Sequence, residues 1–277
     1  MSQLDQVIAD WGLTNIKPLA ETPTSYVYRA DSLEFGTVVL KRLKPYGKDE
    51  LQGVALLQWL DGDGAAKIHD VRDTNILMEY VGDETLGDMV RRGDDDQAMA
   101  IAADTLAALQ NPRPNPPTMR SLRNQFDALL THNPNQWPDE LQLSMRFAMH
   151  LATTLLDENH PQIPLHGDFH HDNILHSERG WRVIDPKGLI GDPYYEAANL
   201  FQNPVGASDL ALNADRIDRF SHVLAARLGW NRGRLLGWAA AHAALSLCWH
   251  VNSGGDPTFG QQMVPNLINA RSRAIAK

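Results

Sequence analysis

The 277-residue chain is 43% hydrophobic and 21% charged, with a formal net charge of -9. This ordinary globular composition excludes a mini-protein, a fibrous repeat and general disorder, and its acidity excludes a bulk nucleic-acid binder. One cysteine, Cys248, lies in the apolar run 244–249, which rules out an internal disulfide and reads as a buried thiol in a reducing cytoplasm. The first six residues carry no basic stretch ahead of an apolar one, and no run of about 18 apolar residues occurs, so neither secretion nor a membrane span is expected.

Residues 25–30 and 36–43 are rich in β-branched and aromatic types and lie close enough in sequence for an antiparallel hairpin. Pro45 and Gly47 break that pattern. Asp49 is placed to cap a helix carrying Leu51, Val54, Leu57 and Leu60, which the Asp61–Gly64 run stops. Residues 65–70 and 75–81 read as a further strand pair. The expectation is a five-strand, one-helix lobe spanning residues 1–81.

Residues 82–277 read as a larger, mainly helical lobe. Apolar spacings of three and four predict helices over 98–109 and 119–130, separated by the proline-rich stretch 111–117. Leu141, Met145, Ala148, Leu151 and Leu155 trace one stripe of a long helix, and further helices are expected at 214–228, 231–250 and 258–275. The run Asp94–Asp96 reads as a solvated helix N-terminus. By segment, residues 1–150 hold 22 acidic and 14 basic side chains, whereas 151–277 hold 12 and 11.

The informative stretch is Leu165-His166-Gly167-Asp168-Phe169-His170-His171-Asp172-Asn173-Ile174-Leu175, followed by Ile184-Asp185-Pro186. Pro164 on one side and a short apolar strand on the other suggest a polar loop between a helix and a hairpin. Asp168, then Asn173 five residues on, then Asp185 on the next strand, is a pattern suited to phosphoryl transfer. One carboxylate serves the attacking hydroxyl and two oxygens serve Mg²⁺, which keeps water and phosphate ligands besides.

These residues resemble the aminoglycoside phosphotransferase family of the protein-kinase-like fold, most nearly its streptomycin 6-kinase and aminoglycoside/hydroxyurea branch. Supporting matches are Gly180-Trp181, residues 184–193, residues 197–201 and, upstream, residues 39–45, 49–51, 59, 62–65 and 77–80. The resemblance implies a two-lobed α+β enzyme that uses ATP and Mg²⁺ to phosphorylate a hydroxyl of a small molecule, with an aminoglycoside of the streptomycin type as acceptor. By the same resemblance Asp168 is the catalytic base and Asn173 and Asp185 hold the metal. Lys41 holds the α and β phosphates and pairs with Glu50. The backbone of Glu79 to Val81 meets adenine as the interlobe hinge. Thr24 and Ser25, in a turn without the glycines of protein kinases, supply hydroxyl and backbone donors to phosphate. His166 and His170 brace the loop, and Asp192 and Glu196 tie the segment after the metal site to it. Lys187 is read as a solvated cation in preference to a phosphate ligand.

Rival readings remain in the sequence. A sugar or an amino alcohol would serve equally as acceptor. His166, His170, His171 and Asp172 would, as metal ligands, make a phosphohydrolase, although such ligands normally come from helices. A non-catalytic polar turn in a degenerate kinase-like binding module is the blandest option. For the acceptor pocket the candidates are His242, Trp249, Asn252 and Asp256, although Trp238, His242, Leu245 and Trp249 also fall at the spacing of a plain core stripe. The acidic excess in residues 1–150 lies outside the lobe expected to bind the acceptor, so bulk charge does not identify a cationic acceptor.

Overall fold

The protein is described by a computed structural model over residues 3–276. In chain order it begins with α1 (Gln3–Asp10), β1 (Thr14–Glu21), β2 (Ser25–Ser32), β3 (Gly36–Leu43), a 3-10 turn (Pro45–Glu50), α2 (Leu51–Leu60), β4 (Ile68–Arg72) and β5 (Asn75–Glu79). The five strands form one antiparallel sheet in the order β1-β2-β3-β5-β4. The anticipated hairpin is β2–β3, in register from Ser25↔Leu43 to Ser32↔Gly36. Strand alternation splits the apolar side chains between two layers. Val38, Leu40 and Leu77 pack with Val7 of α1, Leu13 and Ala30 on one face. Leu43, Ile76 and Met78 join Val54 and Leu57 of α2 on the other.

The chain then continues through α3 (Leu86–Arg91), α4 (Asp95–Leu109), β6 (Arg120–Ser121), α5 (Leu122–Gln125), α6 (Asp127–Leu130) and α7 (Asp139–Asp157). Next come β7 (Ile163–Leu165), the hairpin β8 (Ile174–Ser177) and β9 (Gly180–Val183), and β10 (Leu189–Gly191). A 3-10 stretch (Pro193–Gln202), α8 (Ser208–Ala211), α9 (Ala214–Leu228), α10 (Arg232–Asn252) and α11 (Thr258–Ile275) complete it. The α2 side of the sheet shares one apolar core with these helices, so the two lobes of this protein-kinase-like α+β fold are joined by continuous packing. Among the described residues, no helix is long and apolar enough to cross a membrane.

Four details differ from the sequence expectation. The sheet lobe holds a second helix, α1. Asp49 caps nothing, because residues 45–50 form a 3-10 turn and α2 starts only at Leu51. The helix expected over 119–130 is two single turns, α5 and α6, broken at Phe126. Asp95 is buried, not solvated: its carboxylate accepts from Arg216 Nε at 2.9 Å and Nη2 at 2.9 Å. Burial of such a pair is tolerated because each partner satisfies the other.

Candidate active site

The loop 166–173 is held by main-chain geometry before any side chain acts. β7 pairs antiparallel with β10 at Leu165↔Leu189, which brings residues 166–168 beside 187–188. Lys187 N and Gly188 N both donate to His166 O, at 2.7 and 3.2 Å. Gly167 takes φ +77, and a Cβ there would sit 2.8 Å from Leu189, so glycine is the residue that fits. Glu196 closes the turn from behind: its carboxylate accepts from His166 N at 2.7 Å and Gly167 N at 3.0 Å. Burial pushes the Glu196 carboxyl up to about 8 against the pull of those two donors.

Asp168 projects from this loop with both oxygens engaged. Asn199 Nδ2 donates to Oδ1 at 3.0 Å, and the Lys187 ammonium lies 3.4 Å from Oδ2. Burial acts to raise the Asp168 carboxyl, but Lys187 and the neighbouring histidines outweigh it and hold it below the ordinary aspartate value. Asn173 Nδ2 donates to Asp168 O at 3.0 Å, and its amide oxygen is of the hard type that suits Mg²⁺. His166 bridges the loop to the next strand, Nε2 meeting Ile184 O at 2.8 Å while Nδ1 accepts from Asp168 N at 3.2 Å. Burial pushes this imidazole down to about 4, so it is neutral at neutral pH. His170 Nδ1 accepts from Asp172 N at 3.3 Å. Asp192, by contrast, bonds to α10 and not to the loop, accepting from Arg234 Nε at 3.0 Å and Trp238 Nε1 at 2.9 Å.

Across the cleft, Lys41 at mid-β3 reaches Glu50 Oε2 at 2.6 Å and also contacts Asp185 Oδ1. Burial acts to lower the Lys41 ammonium, but Asp185 and Glu50 outweigh it and hold it above its ordinary value. Glu50 meets Lys41 although it precedes its helix, because the 3-10 turn doubles the chain back beneath β3. Asp185 has φ 59, a left-handed conformation uncommon outside glycine and tolerated best by Asp and Asn.

Two cavities meet here. The first, about 240 Å³, is an apolar slot between Val27, Val39, Met78, Val81, Leu175 and Ile184, with Lys41 and residues 79–82 on its wall. Gly82 is constrained at φ +99, with His176 O where a Cβ would stand. The Glu79 carboxylate accepts from Lys67 N and Arg179 Nε, both at 3.0 Å, so only its backbone serves the slot. The second cavity, about 470 Å³, is polar and is lined by Thr24, Tyr46, Asp49, Arg120, Gln125, Asp168, Lys187 and Trp249. Glu50, Asp185 and Pro186 line both.

The other expected residues sort unevenly. Thr24 lines the polar cavity and buried Ser25 the apolar slot. Their N–H groups both donate to Thr22 Oγ1, at 3.2 and 2.9 Å, so the turn as it stands offers hydroxyls but not those two backbone donors. Among the acceptor candidates, Trp249 alone lines the polar cavity. His242 is a core residue, its Nδ1 3.0 Å from Tyr195 OH. Asn252 is exposed beyond the cavity, and Asp256 accepts from Thr258 N at 3.0 Å at the start of α11. The sequence pattern includes Asn199 without a function and gives no sign of Tyr46, Arg120 and Gln125, which carry no motif and reach the site only through the fold.

Among the described residues, no group of three or more His, Cys, Asp or Glu is gathered to hold a metal ion. The histidines of the proposed hydrolase instead point into hydrogen bonds or, for His171, into the core beside Phe220, and Asp172 is taken by Arg91 at 2.8 Å. Asn173 and Asp185 offer the sparse hard-oxygen set that suits Mg²⁺ shared with phosphate and water.

Comparison with known proteins agrees with this geometry. Residues 10–254 match the sequence profile of the aminoglycoside/hydroxyurea antibiotic resistance kinases. Streptomycin 3''-kinase of Klebsiella pneumoniae is 35% identical over 213 residues, 74% of this chain and 77% of that protein. Streptomycin 6-kinase of Streptomyces griseus is 29% identical over 238 residues, 82% and 74% respectively. In structure, a thermostable mutant of aminoglycoside phosphotransferase APH(4)-Ia, in a ternary complex with ADP and hygromycin B, aligns with TM-score 0.61 at 16% identity over 100% of this chain and 97% of that one. A lysine-bridged cleft, an aspartate cradled on a rigid loop and a profile match spanning most of the sequence lead to one assignment: the chain belongs to the aminoglycoside/hydroxyurea antibiotic resistance kinase family and is a phosphotransferase acting on a small-molecule hydroxyl.

Proposed function

We propose that the protein transfers the γ-phosphoryl group of ATP to a hydroxyl of a streptomycin-type aminoglycoside. The observation that carries this reading is the shared wall of the two cavities, where Glu50 and Asp185 separate an apolar slot shaped for a purine from a polar basin holding Asp168. Adenine occupies the slot against the backbone of Glu79 to Val81, and Lys41 meets the α and β phosphates. Thr24 and Ser25 cover them with hydroxyls. Mg²⁺ held by Asn173 and Asp185 supplies charge neutralisation on the phosphate oxygens. Asp168, oriented by Asn199, receives the proton of the acceptor hydroxyl as that oxygen attacks. In this reading residues 1–81 are the nucleotide-binding lobe and 82–277 the lobe of the catalytic loop, with the acceptor lying between them.

The basin's charge supports a cationic acceptor. Asp49, Glu50, Asp168 and Asp185 line it against Arg120 and Lys187, a net acidic wall. Two of those carboxylates come from the 3-10 turn of the sheet lobe, so the acidic half of the sequence does reach the acceptor. Trp249 gives the basin an aromatic face for a sugar ring or guanidinium. The test is ADP release in Mg-ATP with streptomycin, other aminoglycosides, sugars and amino alcohols, followed by mass analysis of the product. A mass gain of one phosphoryl group on an aminoglycoside is expected. ADP release with a sugar or amino alcohol alone would overturn the acceptor class and leave the phosphotransferase.

A further inference from the structure

We propose that Lys187 is a catalytic residue that meets the transferred phosphoryl group, and that in the free enzyme it is parked on Asp168 until the acceptor arrives. The inference deepens the phosphotransferase reading and rests on it. It departs from the solvated cation that the sequence position suggested.

Three observations carry it. First, the main chain of Lys187 is pinned while its side chain reaches into the basin. Its N–H donates to His166 O at 2.7 Å, and the next residue, Gly188 at φ +67, is wedged so tightly against α2 that a Cβ would stand 2.5 Å from Gln52 O. The side chain is 43% exposed and lines the polar basin. A fixed root with a mobile four-carbon stem delivers a point charge to one small region.

Second, the ammonium touches the wrong partner for a resting structural ion pair. Asn199 already holds Asp168 Oδ1 at 3.0 Å, so Oδ2, 3.4 Å from Lys187 Nζ, is the oxygen left for the acceptor hydroxyl. A hydroxyl entering there displaces Lys187. In-line transfer holds the reacting atoms about 3–3.5 Å apart, so a phosphorus poised for that hydroxyl lies within the sweep of the displaced ammonium.

Third, of the cations of the two cavities Lys187 is the one whose ammonium lies on the Asp168 carboxylate. Lys41 is shared by Glu50 and Asp185, and Arg120 Nη2 is turned to Gln125 Oε1 at 2.9 Å. The γ-phosphoryl carries its charge on three equatorial oxygens in flight, and cations aimed there act more strongly in the transition state than in the ground state.

In the step itself the acceptor hydroxyl gives its proton to Asp168 Oδ2 as its oxygen bonds to the γ-phosphorus. The bond from that phosphorus to the β,γ-bridging oxygen breaks, and its electron pair leaves on ADP. Lys187 stays protonated throughout and supplies charge alone.

Lys187→Gln, Lys187→Met and Lys187→Arg are compared with wild type and Asp168→Asn, using Mg-ATP and streptomycin, with thermal melts confirming the fold of each. With Lys187→Gln and Lys187→Met, kcat falls about 10²-fold or more, the size of losing one transition-state donor. Both KM values stay within about threefold, and Lys187→Arg recovers about tenfold of the loss. Calorimetric titration supplies a readout apart from turnover: with streptomycin present the preference for AMP-PNP over ADP shrinks in Lys187→Gln, whereas without it Lys187→Gln and wild type bind both nucleotides alike. A Lys187→Gln enzyme with wild-type kcat beside a dead Asp168→Asn sinks the proposal and leaves the phosphotransferase intact. So does a parallel loss of ADP affinity, the mark of a structural residue. A wild-type enzyme that releases no ADP under any acceptor removes the reading and the proposal together.

Discussion

Asp168 has two oxygens, and in the proposed reaction Asn199 decides which of them takes the proton. By holding Oδ1, the amide leaves Oδ2 facing the basin. Asp168→Asn preserves that bond geometry but cannot accept a proton, so kcat falls by about 10²–10⁴ while calorimetric ATP affinity is unchanged. The buried groups around it give the fold a pH optimum. His166 and His242 are pushed down to about 4, and His171 also well below its ordinary value, each chiefly by burial. As pH drops below 6.5 the unfolded chain protonates these rings and the folded one does not, so stability is lost on acidification. Glu196, up from 4.5 to about 8, keeps a proton in the fold that the unfolded chain has released, so stability falls as pH rises through that window. Three histidines outweigh one glutamate on the acid side, and the glutamate acts alone above. Urea melts therefore show maximal stability near pH 6.5, and Glu196→Gln flattens the alkaline limb while lowering stability overall by about 1–3 kcal/mol, because His166 N and Gly167 N meet different oxygens and a glutamine turns its NH2 toward one of them.

At the scale of the element, α2 is set by what it leaves out. Gly53 sits in the first turn of α2, and alanine for glycine within a helix normally stabilises by about 0.5–1 kcal/mol. Here a Cβ would fall 1.7 Å from Pro186 O. Gly53→Ala thus pushes α2 off the Asp185–Pro186 segment, with an expected loss of about 1–3 kcal/mol in thermal or urea melts and weakened ATP binding. The sequence made some elements plain and hid others for the same kind of reason. β2 and β3 show in their β-branched and aromatic content, and α7 in an unbroken apolar stripe. β1 was hidden because it is an exposed edge strand with Pro18 and two register shifts, so no alternation shows. The candidate loop stood out because its polar residues are local, with Asp168, Asn173 and Asp185 set by short spacing. The basin did not, since Tyr46, Arg120, Gln125 and Trp249 come from four separate segments that only tertiary packing assembles. The Asp94–Asp96 run misled because Arg216, 121 residues away, decides its burial.

Over the whole molecule, the two lobes share their larger core. Ile76 and Met78 of the sheet, Val54 and Leu57 of α2 and the helices beyond belong to one apolar body, so the sheet lobe does not melt alone. Far-UV ellipticity and tryptophan fluorescence are expected to report coincident transitions in urea; a separate early fluorescence phase would show the lobes to be independent. The β8–β9 hairpin adds polar ties to that body. Arg179 grips Glu79 at the hinge, Val183 exchanges main-chain bonds with Gly64 and Ala66, at 3.0 and 2.9 Å, and His176 N reaches Glu84 O at 2.9 Å. The same hairpin begins directly after Asn173. The stretch that would seat adenine and the residue that would hold the metal are therefore tied to one hairpin, so a substitution that loosens β8–β9 would be felt at both ends of a bound nucleotide. Tyr46 and Trp249 face the polar basin and not the apolar slot, so substitutions at those two positions would change which acceptor fits while leaving the donor's seat as it is.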